Sequence, residues 1–380
     1  MRGNKLFNIL DYYAGIPLIF AIGLVKHLHS IPKPQKPQTI LITKLSALGD
    51  TVLLIPALRE LKKAFPSSKI NFIVTSINKE IAQKCPYVDN VIEFKVSRAV
   101  KNPLYLLNFI LQLRKLNPDV AIDADQWLRV SAILSFLSGA KKLIGFNTQA
   151  QHKHFLFTHT VPHIKKRHEI ECFLDLIRQL DIKATDNSLE YWINTDEDKQ
   201  AIDILKSFGV QENDKYLVIH PEVPLHREQK QWPEEKFAEL IEKLADTKKI
   251  KILITGTTPN NSLKNRLKNM DYQKLTRVVF MPKLSIGVYA SVLKHSKLLL
   301  CNNTGIMHLA CALNIPVIGL HGSISTEKWG PVGQKSITIK ADIDCSPCIY
   351  LGFEYNCNEN KCMNSINTSE VLNNINSILK

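Results

Sequence analysis

The 380-residue chain lacks several features that mark specialised classes of protein. Its N-terminal apolar run, Tyr12–Val25, has 14 residues, whereas a membrane-spanning helix needs about 20. There is no arginine-rich arm, zinc-finger spacing or aromatic ribonucleoprotein motif, which disfavours a nucleic-acid-binding protein. The first strand-to-helix turn, KLSALGD, lacks the G-x-G-x-x-G pattern and so argues against a nicotinamide-dependent dehydrogenase.

What the chain does contain is the composition of a folded enzyme. Hydrophobic residues make up 45% and charged residues 22%, and 380 residues exceed what one core usually covers, so we predict two domains. The net charge of +14 comes from 49 Lys and Arg against 35 Asp and Glu, and it is spread along the sequence. This excess indicates an anionic partner, such as a membrane surface or a phosphorylated glycolipid.

The N-terminal apolar run predicts a helix within residues 1–30. Pro17 would kink it, and basic residues lie on both sides of the run. A secretory signal is disfavoured because the run continues into KHLHSIPKPQKP and not into a small-residue cleavage site. We expect the helix to lie in the interface of an anionic membrane; the alternative is a helix that merely packs on the protein.

The rest of the chain predicts an α/β protein. Apolar strand-like runs alternate with amphipathic helices in two series, which start at Thr39 and at Tyr216. The polar interval 181–200 separates them, so we predict two Rossmann-like, doubly wound domains at residues 38–187 and 195–380. We expect the domains to face a cleft, with ligands beyond the carboxyl ends of the strands.

A turn near residue 303 predicts a phosphate site in the second domain. Asn303 and Thr304 are good residues for capping a helix, and Gly305 allows a tight turn into a helix predicted at 306–313. The N-terminus of such a helix presents unpaired N–H groups and a positive dipole, to which phosphate binds. His308 can face the same ligand, so the pattern is typical of a nucleotide-diphosphate site.

The loop after the first strand, Lys44 to Asp50, places a carboxylate at the start of a helix. Gly49 allows close approach of the backbone. Asp50 has two interpretations, which the residues alone leave open: it caps the helix, or it accepts a proton from a substrate hydroxyl.

Two loops of the second domain offer further candidates. Lys230 precedes Trp232-Pro233 and an amphipathic helix, where an ammonium would neutralise a diphosphate leaving group; a solvated surface lysine is the alternative. Gly256 and Thr257 lie in another strand-to-helix turn, where a base or ribose could rest.

Taken together, these segments resemble family 9 glycosyltransferases, the ADP-heptose:lipopolysaccharide heptosyltransferase group. The matching pieces run from about residue 39 to 366. They are TKLSALGDTVLLIPALRELKKAFP, DADQWLRVSAILSFLSGAKKLIGF, RHEIECFLDLIRQLDI, KQWPEEKFAEL, ITGTTPN, NNTGIMHLACALNIPVIGLHG and KWGPVG. The resemblance implies a GT-B fold, in which the C-terminal domain holds the sugar nucleotide. It also implies inversion at the anomeric carbon without a bound metal.

The resemblance also assigns roles to residues. It implies that Asp50 is the general base and that Lys230 contacts the nucleotide phosphates. Around these, Lys44, Ser46 and Gly49 would lie on the acceptor side. The donor would be bound by Asn303, Thr304, Gly305, His308, Gly256 and Thr257.

The implied reaction moves a sugar, heptose by resemblance, from a nucleotide diphosphate such as ADP-heptose to a lipopolysaccharide core or related glycolipid. The enzyme would need no cofactor, would bind no nucleic acid, and would sit at the cytoplasmic face of the inner membrane. One departure is Asn303, because the family usually has Asp there, and an amide carries no charge. A non-catalytic, membrane-associated sugar-nucleotide or glycan-binding protein is therefore the alternative.

Cysteine and histidine are unevenly distributed. Four of the eight cysteines, Cys345, Cys348, Cys357 and Cys362, have a spacing that permits a structural metal, although relatives often carry a similar cluster and reduced thiols account for it as well. The other four cysteines read as core residues. The basic segment 152–168 predicts a loop that is either solvated or binds acceptor phosphates.

Overall fold

The computed structural model describes residues 5–26, 36–224, 228–247, 250–256, 261–352, 354, 357 and 359–380. The chain divides into two compact units, Met1–Ser188 and Leu189–Lys380, and each is described by itself. Both are parallel sheets covered by helices, which confirms the predicted α/β architecture.

The first unit contains a six-stranded parallel sheet in the order β3-β2-β1-β4-β5-β6. Its central strands are apolar runs buried on both faces, as parallel sheets require, and its two edge strands are only partly buried. They are β1 (Thr39–Thr43), β2 (Lys69–Val74), β3 (Asn90–Glu93), β4 (Val120–Asp123), β5 (Lys142–Asn147) and β6 (His159–Pro162). The order reverses between β1 and β4, and ligands of such sheets bind at this switch point.

Eight α-helices accompany this sheet among the described residues. They are α1 (Lys5–Tyr13), α2 (Gly15–Lys26), α3 (Leu48–Ala64), α4 (Lys79–Lys84), α5 (Val96–Lys101), α6 (Pro103–Lys115), α7 (Arg129–Leu137) and α8 (Glu169–Arg178). One hydrophobic cluster joins a face of the sheet to α2, α6 and α7 through Leu41, Ala121, Ile19, Phe109 and Ala132.

The second unit repeats the strand order of the first. Its six parallel strands are β7 (Tyr216–His220), β8 (Lys251–Ile254), β9 (Val278–Phe280), β10 (Leu299–Asn302), β11 (Val317–His321) and β12 (Ser336–Lys340). They pair in the order β12-β11-β10-β7-β8-β9, so the switch point lies between β7 and β10.

Nine α-helices surround this second sheet in the part of the chain that the structure describes. They are α9 (Thr195–Ser207), α10 (Glu234–Thr247), α11 (Asn261–Arg266), α12 (Tyr272–Leu275), α13 (Ile286–Lys294), α14 (Gly305–Ala312), α15 (Thr326–Trp329), α16 (Lys361–Ser365) and α17 (Thr368–Ile378). The core beneath α10 and α17 includes Trp232, Phe237, Leu240 and Val371, all buried.

The N-terminal apolar run forms two helices, α1 and α2, rather than one. Asp11 of α1 accepts hydrogen bonds from the backbone N–H groups of Arg129 (3.1 Å) and Val130 (3.0 Å), and so caps the N-terminus of α7. Ile19 of α2 is fully buried in the cluster beneath it. Within the described residues, no helix combines the length and apolarity that crossing a bilayer demands.

The prediction of a loop over residues 152–168 was wrong. This segment contains a short 3-10 helix, Lys153–Leu156, and then the edge strand β6. Lys153, which the basic composition suggested was solvated, is fully buried, and its ammonium lies 2.7 Å from the Asp123 carboxylate. Lys165 and Lys166 remain exposed.

Candidate functional site

The turn after β1 places Asp50 at the switch point of the first sheet. Helix α3 begins at Leu48, so Gly49 and Asp50 lie in its first turn, as predicted for Asp50. The tight backbone turn falls on Ala47, whose φ is 64°. Asp50 has 6% of its surface exposed, which leaves its carboxylate at the border between the core and the space beyond the strand ends.

Asp50 is held by a lysine without solvent exposure. The Lys44 ammonium donates to the Asp50 carboxylate at 3.1 Å and to Gln126 Oε1 at 2.6 Å. It also lies 3.8 Å from Asp125 Oδ2. Because its side chain is entirely buried, Lys44 could influence a bound ligand through Asp50 but not by touching it.

Asp125, at the turn after β4, is the centre of this buried network. Its Oδ2 accepts from Ser46 Oγ (3.1 Å), and its Oδ1 accepts from the N–H groups of Trp127 (3.2 Å) and Leu128 (3.0 Å). Although burial acts to raise it, the pKa of Asp125 falls to about 2, since the Lys44 and Lys153 charges and these N–H groups favour the carboxylate.

The network continues away from Asp50 towards α8. Gln126 Nε2 donates to Glu169, and Glu169 lies 3.0 Å from the His163 ring. Both side chains of this pair are fully buried. Among the described residues, His163, Glu169 and Cys172 are the one group of three whose ligand atoms lie within 4.8 Å of one another. The His163–Glu169 hydrogen bonds account for most of this closeness.

The net pKa shift of Asp123, at the end of β4, is in the opposite direction. Loss of hydration raises its pKa to about 6, because the nearby charge of Asp125 adds to the effect and Lys153 offsets it only in part. Asp123 and Asp125 lie next to each other at this edge of the sheet, and their pKa values are shifted in opposite directions. Neither of them was predicted from the sequence, nor were Gln126 and Glu169.

At the second switch point, β10 leads into α14. The helix spans Gly305–Ala312, one residue earlier than predicted, and Thr304 is its N-cap. Thr304 takes an extended conformation, but its side chain makes no capping bond, and its buried Oγ1 has no hydrogen-bond partner among the described residues. A ligand atom at the helix N-terminus would satisfy it. His308 lies in the same helix and is buried.

Asn302, at the end of β10, holds both ends of the segment between β7 and α10. Its buried amide accepts from the N–H of Trp232 at 2.9 Å and donates to the carbonyl of Pro221 at 2.7 Å. The chain on both sides of Lys230 is thus tied to the end of β10. The sequence gives no local sign of this role, because Asn302 is simply the last residue of an apolar strand.

Asn303 points towards β11 and the loop beyond it. Its Nδ2 donates to the carbonyl of Trp329 at 3.1 Å and lies 3.4 Å from His321 Nε2. Burial lowers the pKa of His321 to about 3, and the positive charge of Lys230 acts in the same direction. Lys230 therefore lies near this edge, at the end of a short 3-10 helix, and is half-buried.

The turn after β8 completes the edge. Thr255 Oγ1 bonds His220 Nδ1 at 3.1 Å and the Tyr289 hydroxyl at 2.9 Å, and burial lowers the pKa of His220 to about 4. Gly256 follows and is half-buried, whereas Thr257 lies outside the described residues.

The four clustered cysteines line one cavity of about 250 Å³, together with Gln229, Ile349, Glu354 and Glu359. All four are free thiols. In the described part of the chain, no three of their sulfur atoms lie within 4.8 Å of one another. Tetrahedral thiolate coordination would need them closer. A metal at Cys345, Cys348, Cys357 and Cys362 stays an untested alternative to reduced thiols. The other four cysteines are buried, as predicted.

Comparison with solved structures identifies the fold. The chain superposes on a family 9 glycosyltransferase from Veillonella parvula with a TM-score of 0.73 at 20% identity, covering 90% of this chain and 97% of that one. An E. coli heptosyltransferase solved with ADP gives 0.68 at 23% identity, with coverage of 90% and 99%. The chain, with two sheets of Rossmann strand order, thus has the fold of GT-B glycosyltransferases.

The sequence comparisons narrow the class to one family. The model of glycosyltransferase family 9 (heptosyltransferase) matches residues 106–361, which is more than half of the chain. Lipopolysaccharide heptosyltransferase 1 of Pseudomonas aeruginosa is 26% identical over 322 residues, covering 82% of this chain and 86% of that protein. The chain belongs to glycosyltransferase family 9, as its motifs predicted, and is an enzyme of the glycosyltransferase class.

Proposed function

We propose that the chain is an inverting heptosyltransferase that moves heptose from ADP-heptose to a lipopolysaccharide core or a related glycolipid. Its relatives, lipopolysaccharide heptosyltransferases 1 and 3, support the sugar and the acceptor. Structures solved with ADP and with ADP-2-deoxy-2-fluoro heptose support the donor.

The observation on which the proposal depends is the Thr304 hydroxyl at the N-terminus of α14, which has no hydrogen-bond partner among the described residues. Thr304 Oγ1 and the first N–H groups of the helix lie at the switch point of the second sheet, where a diphosphate accepts their hydrogen bonds. Lys230 would add a positive charge as the diphosphate departs. Gly305 keeps the approach open, and His308, Gly256 and Thr257 would line the rest of the donor site.

Asp50 would be the general base. A proton acceptor must be fixed in place, and the Lys44 ammonium fixes this carboxylate at 3.1 Å. In the reaction, an acceptor oxygen attacks the anomeric carbon while the bond to the diphosphate oxygen breaks. Asp50 takes the acceptor proton, and a single displacement of this kind inverts the configuration without needing a metal.

Asn303 bears on the choice of donor. Its amide donates to the Trp329 carbonyl, which a carboxylate cannot do, so the Asn at this position has its own structural role. The neutral side chain would bind donor hydroxyls with fewer charge-assisted bonds. The transfer assay should therefore include donors other than ADP-heptose.

We further propose that the enzyme works at the cytoplasmic face of the inner membrane and contacts it peripherally through α1 and α2. Their exposed side chains include Tyr13, at 72%, and Leu24, at 78%, which is unusual for apolar residues in contact with water. The net charge of +14 favours an anionic surface.

The test is a transfer assay with purified full-length protein. It is incubated with ADP-heptose and with ADP-, UDP- and GDP-hexoses, in the presence of a soluble, deacylated lipopolysaccharide-core acceptor. Release of the nucleoside diphosphate and the mass of the product are measured. Binding of a donor without transfer to any acceptor would favour the alternative of a non-catalytic binding protein.

The Asp50→Asn variant tests the mechanism. We expect transfer to fall about 10²- to 10⁴-fold, the usual contribution of a general base. The fold should persist, because Lys44 keeps Gln126 and Asp125 as partners. Asp89→Asn, at a half-exposed ion pair with Lys62, is the matched control and should keep its activity. Full transfer by the folded Asp50→Asn protein would contradict the assignment.

A further inference from the structure

Helix α6 has apolar residues on the face that its packing leaves exposed. Phe109 and Leu113 are buried beneath it, whereas Leu104, Leu107 and Leu111 are 69%, 52% and 46% exposed. Spacings of three and four residues place these three leucines in one stripe. A surface helix normally presents polar residues there, so the stripe indicates a partner.

The stripe lies on the same side of the first sheet as the N-terminal helices. Ile19 of α2 and Phe109 of α6 belong to one hydrophobic cluster, which rests on Leu41 and Ala121 of the sheet. Helices α1 and α2 and the neighbouring 3-10 helix also carry exposed apolar side chains. They are Ile9, Leu10, Tyr12, Tyr13, Leu18, Phe20, Leu24 and Phe155.

The charge around the stripe has one sign. Residues 94–118 contain five basic residues and no Asp or Glu. The five are Lys95, Arg98, Lys101, Arg114 and Lys115, and all are exposed. The one carboxylate of α1 and α2, Asp11, is buried against Arg129. This combination complements anionic headgroups above an apolar layer, whereas a second copy of the chain would bring like charges together.

We infer that the exposed leucine stripe of α6, with its flanking basic residues and the exposed apolar residues of α1 and α2, forms a bilayer-docking face for anionic lipid. The leucines insert at the boundary between headgroups and acyl chains, and the basic side chains bind lipid phosphates. The inference rests on the proposed use of a glycolipid acceptor, and it adds α6 to the membrane contact.

The first experiment removes the stripe and measures co-sedimentation with vesicles. Full-length protein is mixed with vesicles of phosphatidylcholine alone or with about one third phosphatidylglycerol, a composition that supplies anionic charge. The test variant carries Leu104→Ser, Leu107→Ser and Leu111→Ser. The matched control replaces three equally exposed apolar residues elsewhere, through Ile77→Ser, Phe208→Ser and Tyr272→Ser.

We expect wild-type protein and the control to partition equally onto anionic vesicles, and the stripe variant to lose at least about tenfold in partition coefficient, because burial of three leucine side chains is lost. Circular dichroism should be unchanged, since these leucines lie outside the buried cluster beneath α6. Equal binding by the stripe variant would overturn the inference.

The second experiment removes charge from the same face. Replacing Arg98, Lys101, Arg114 and Lys115 by Gln should lower binding to anionic vesicles by about fivefold for each charge and should not change binding to neutral vesicles. A control variant neutralises exposed lysines of the second unit. These are Lys206, Lys294, Lys335 and Lys340. An equal loss in both variants would mean that net charge, and not this face, governs binding.

Two further readouts distinguish lipid docking from self-association and from loss of catalysis. Light scattering on the stripe variant detects a change of oligomeric state, which would show a chain-to-chain interface and overturn the lipid assignment. Transfer to the soluble acceptor should be unchanged in both variants. If wild-type protein transfers no sugar yet docks through α6, the proposed function fails and the docking face stands.

Discussion

Replacing Lys44 by Met tests the buried network around Asp50. The side chains have similar length, but the ammonium that lies 3.1 Å from Asp50 and 3.8 Å from Asp125 is removed. Both carboxylates then remain in the interior without that charge. Breaking a buried pair in this way costs about 3–5 kcal/mol of unfolding free energy.

The loss should depend on pH in a defined direction. The pKa of Asp125 drops from 3.8 to about 2 on folding, and this contributes about 2 kcal/mol that is present above pH 4 and disappears as the pH falls towards 2. Without Lys44 the pKa of Asp125 rises, so this contribution shrinks. The difference between wild type and Lys44→Met should therefore be largest at pH 7 and should narrow below pH 4.

Urea unfolding followed by circular dichroism at pH 7, 5 and 3.5 measures both effects. Lys141→Met is the matched control: its ammonium lies 2.7 Å from Asp119, but 45% of its side chain is exposed. Such a pair contributes less than about 1 kcal/mol. The reasoning is refuted if Lys44→Met unfolds within about 1 kcal/mol of wild type at pH 7, or if its deficit is the same at every pH.

Three further predictions concern packing and titration. Gly145→Ala should destabilise the protein by about 1–3 kcal/mol in urea, because an added Cβ would lie 2.3 Å from the Phe157 ring, whereas Gly23→Ala, with 3.5 Å of room, should cost nothing. Asn303→Asp loses a buried donor bond and should cost about 1–3 kcal/mol by the same assay; an unchanged midpoint would show that the bond is unimportant. The pKa of His220, about 4, predicts a neutral ring from pH 5 to 8 by NMR, and a stability that falls as the pH drops from 6.5 towards 4; a ring midpoint above 6 would contradict this.

The strands that the sequence predicted correctly share a simple pattern. β1 and β7 are uninterrupted apolar runs, and in the structure they begin at the predicted residues, Thr39 and Tyr216. Central parallel strands are buried on both faces, so their pattern is local and strong. β6, His159–Pro162, was missed because an edge strand in a basic segment has only one buried residue.

The sequence predicted where the candidate residues lie in the fold, but not the hydrogen bonds and ion pairs that they make. Asp50 and Thr304 follow strands at switch points, which strand order alone indicates. Nothing local shows that Lys44 reaches Gln126, 82 residues away, or that it loses all contact with solvent. Lysine in a polar turn reads as exposed, and only tertiary packing turns it into a buried counter-ion.

The Asp11 cap gives the N-terminal helices a role in the shape of the first site. Asp11 satisfies the start of α7, and the turn just before it, at Trp127 and Leu128, is held by Asp125, the counter-charge of Lys44. Displacement of α1 from α7 would leave the N–H groups of Arg129 and Val130 without this acceptor and would loosen the turn that Asp125 holds. With the docking face proposed above, α1 would connect a lipid surface to the hydrogen bonds that position Asp50.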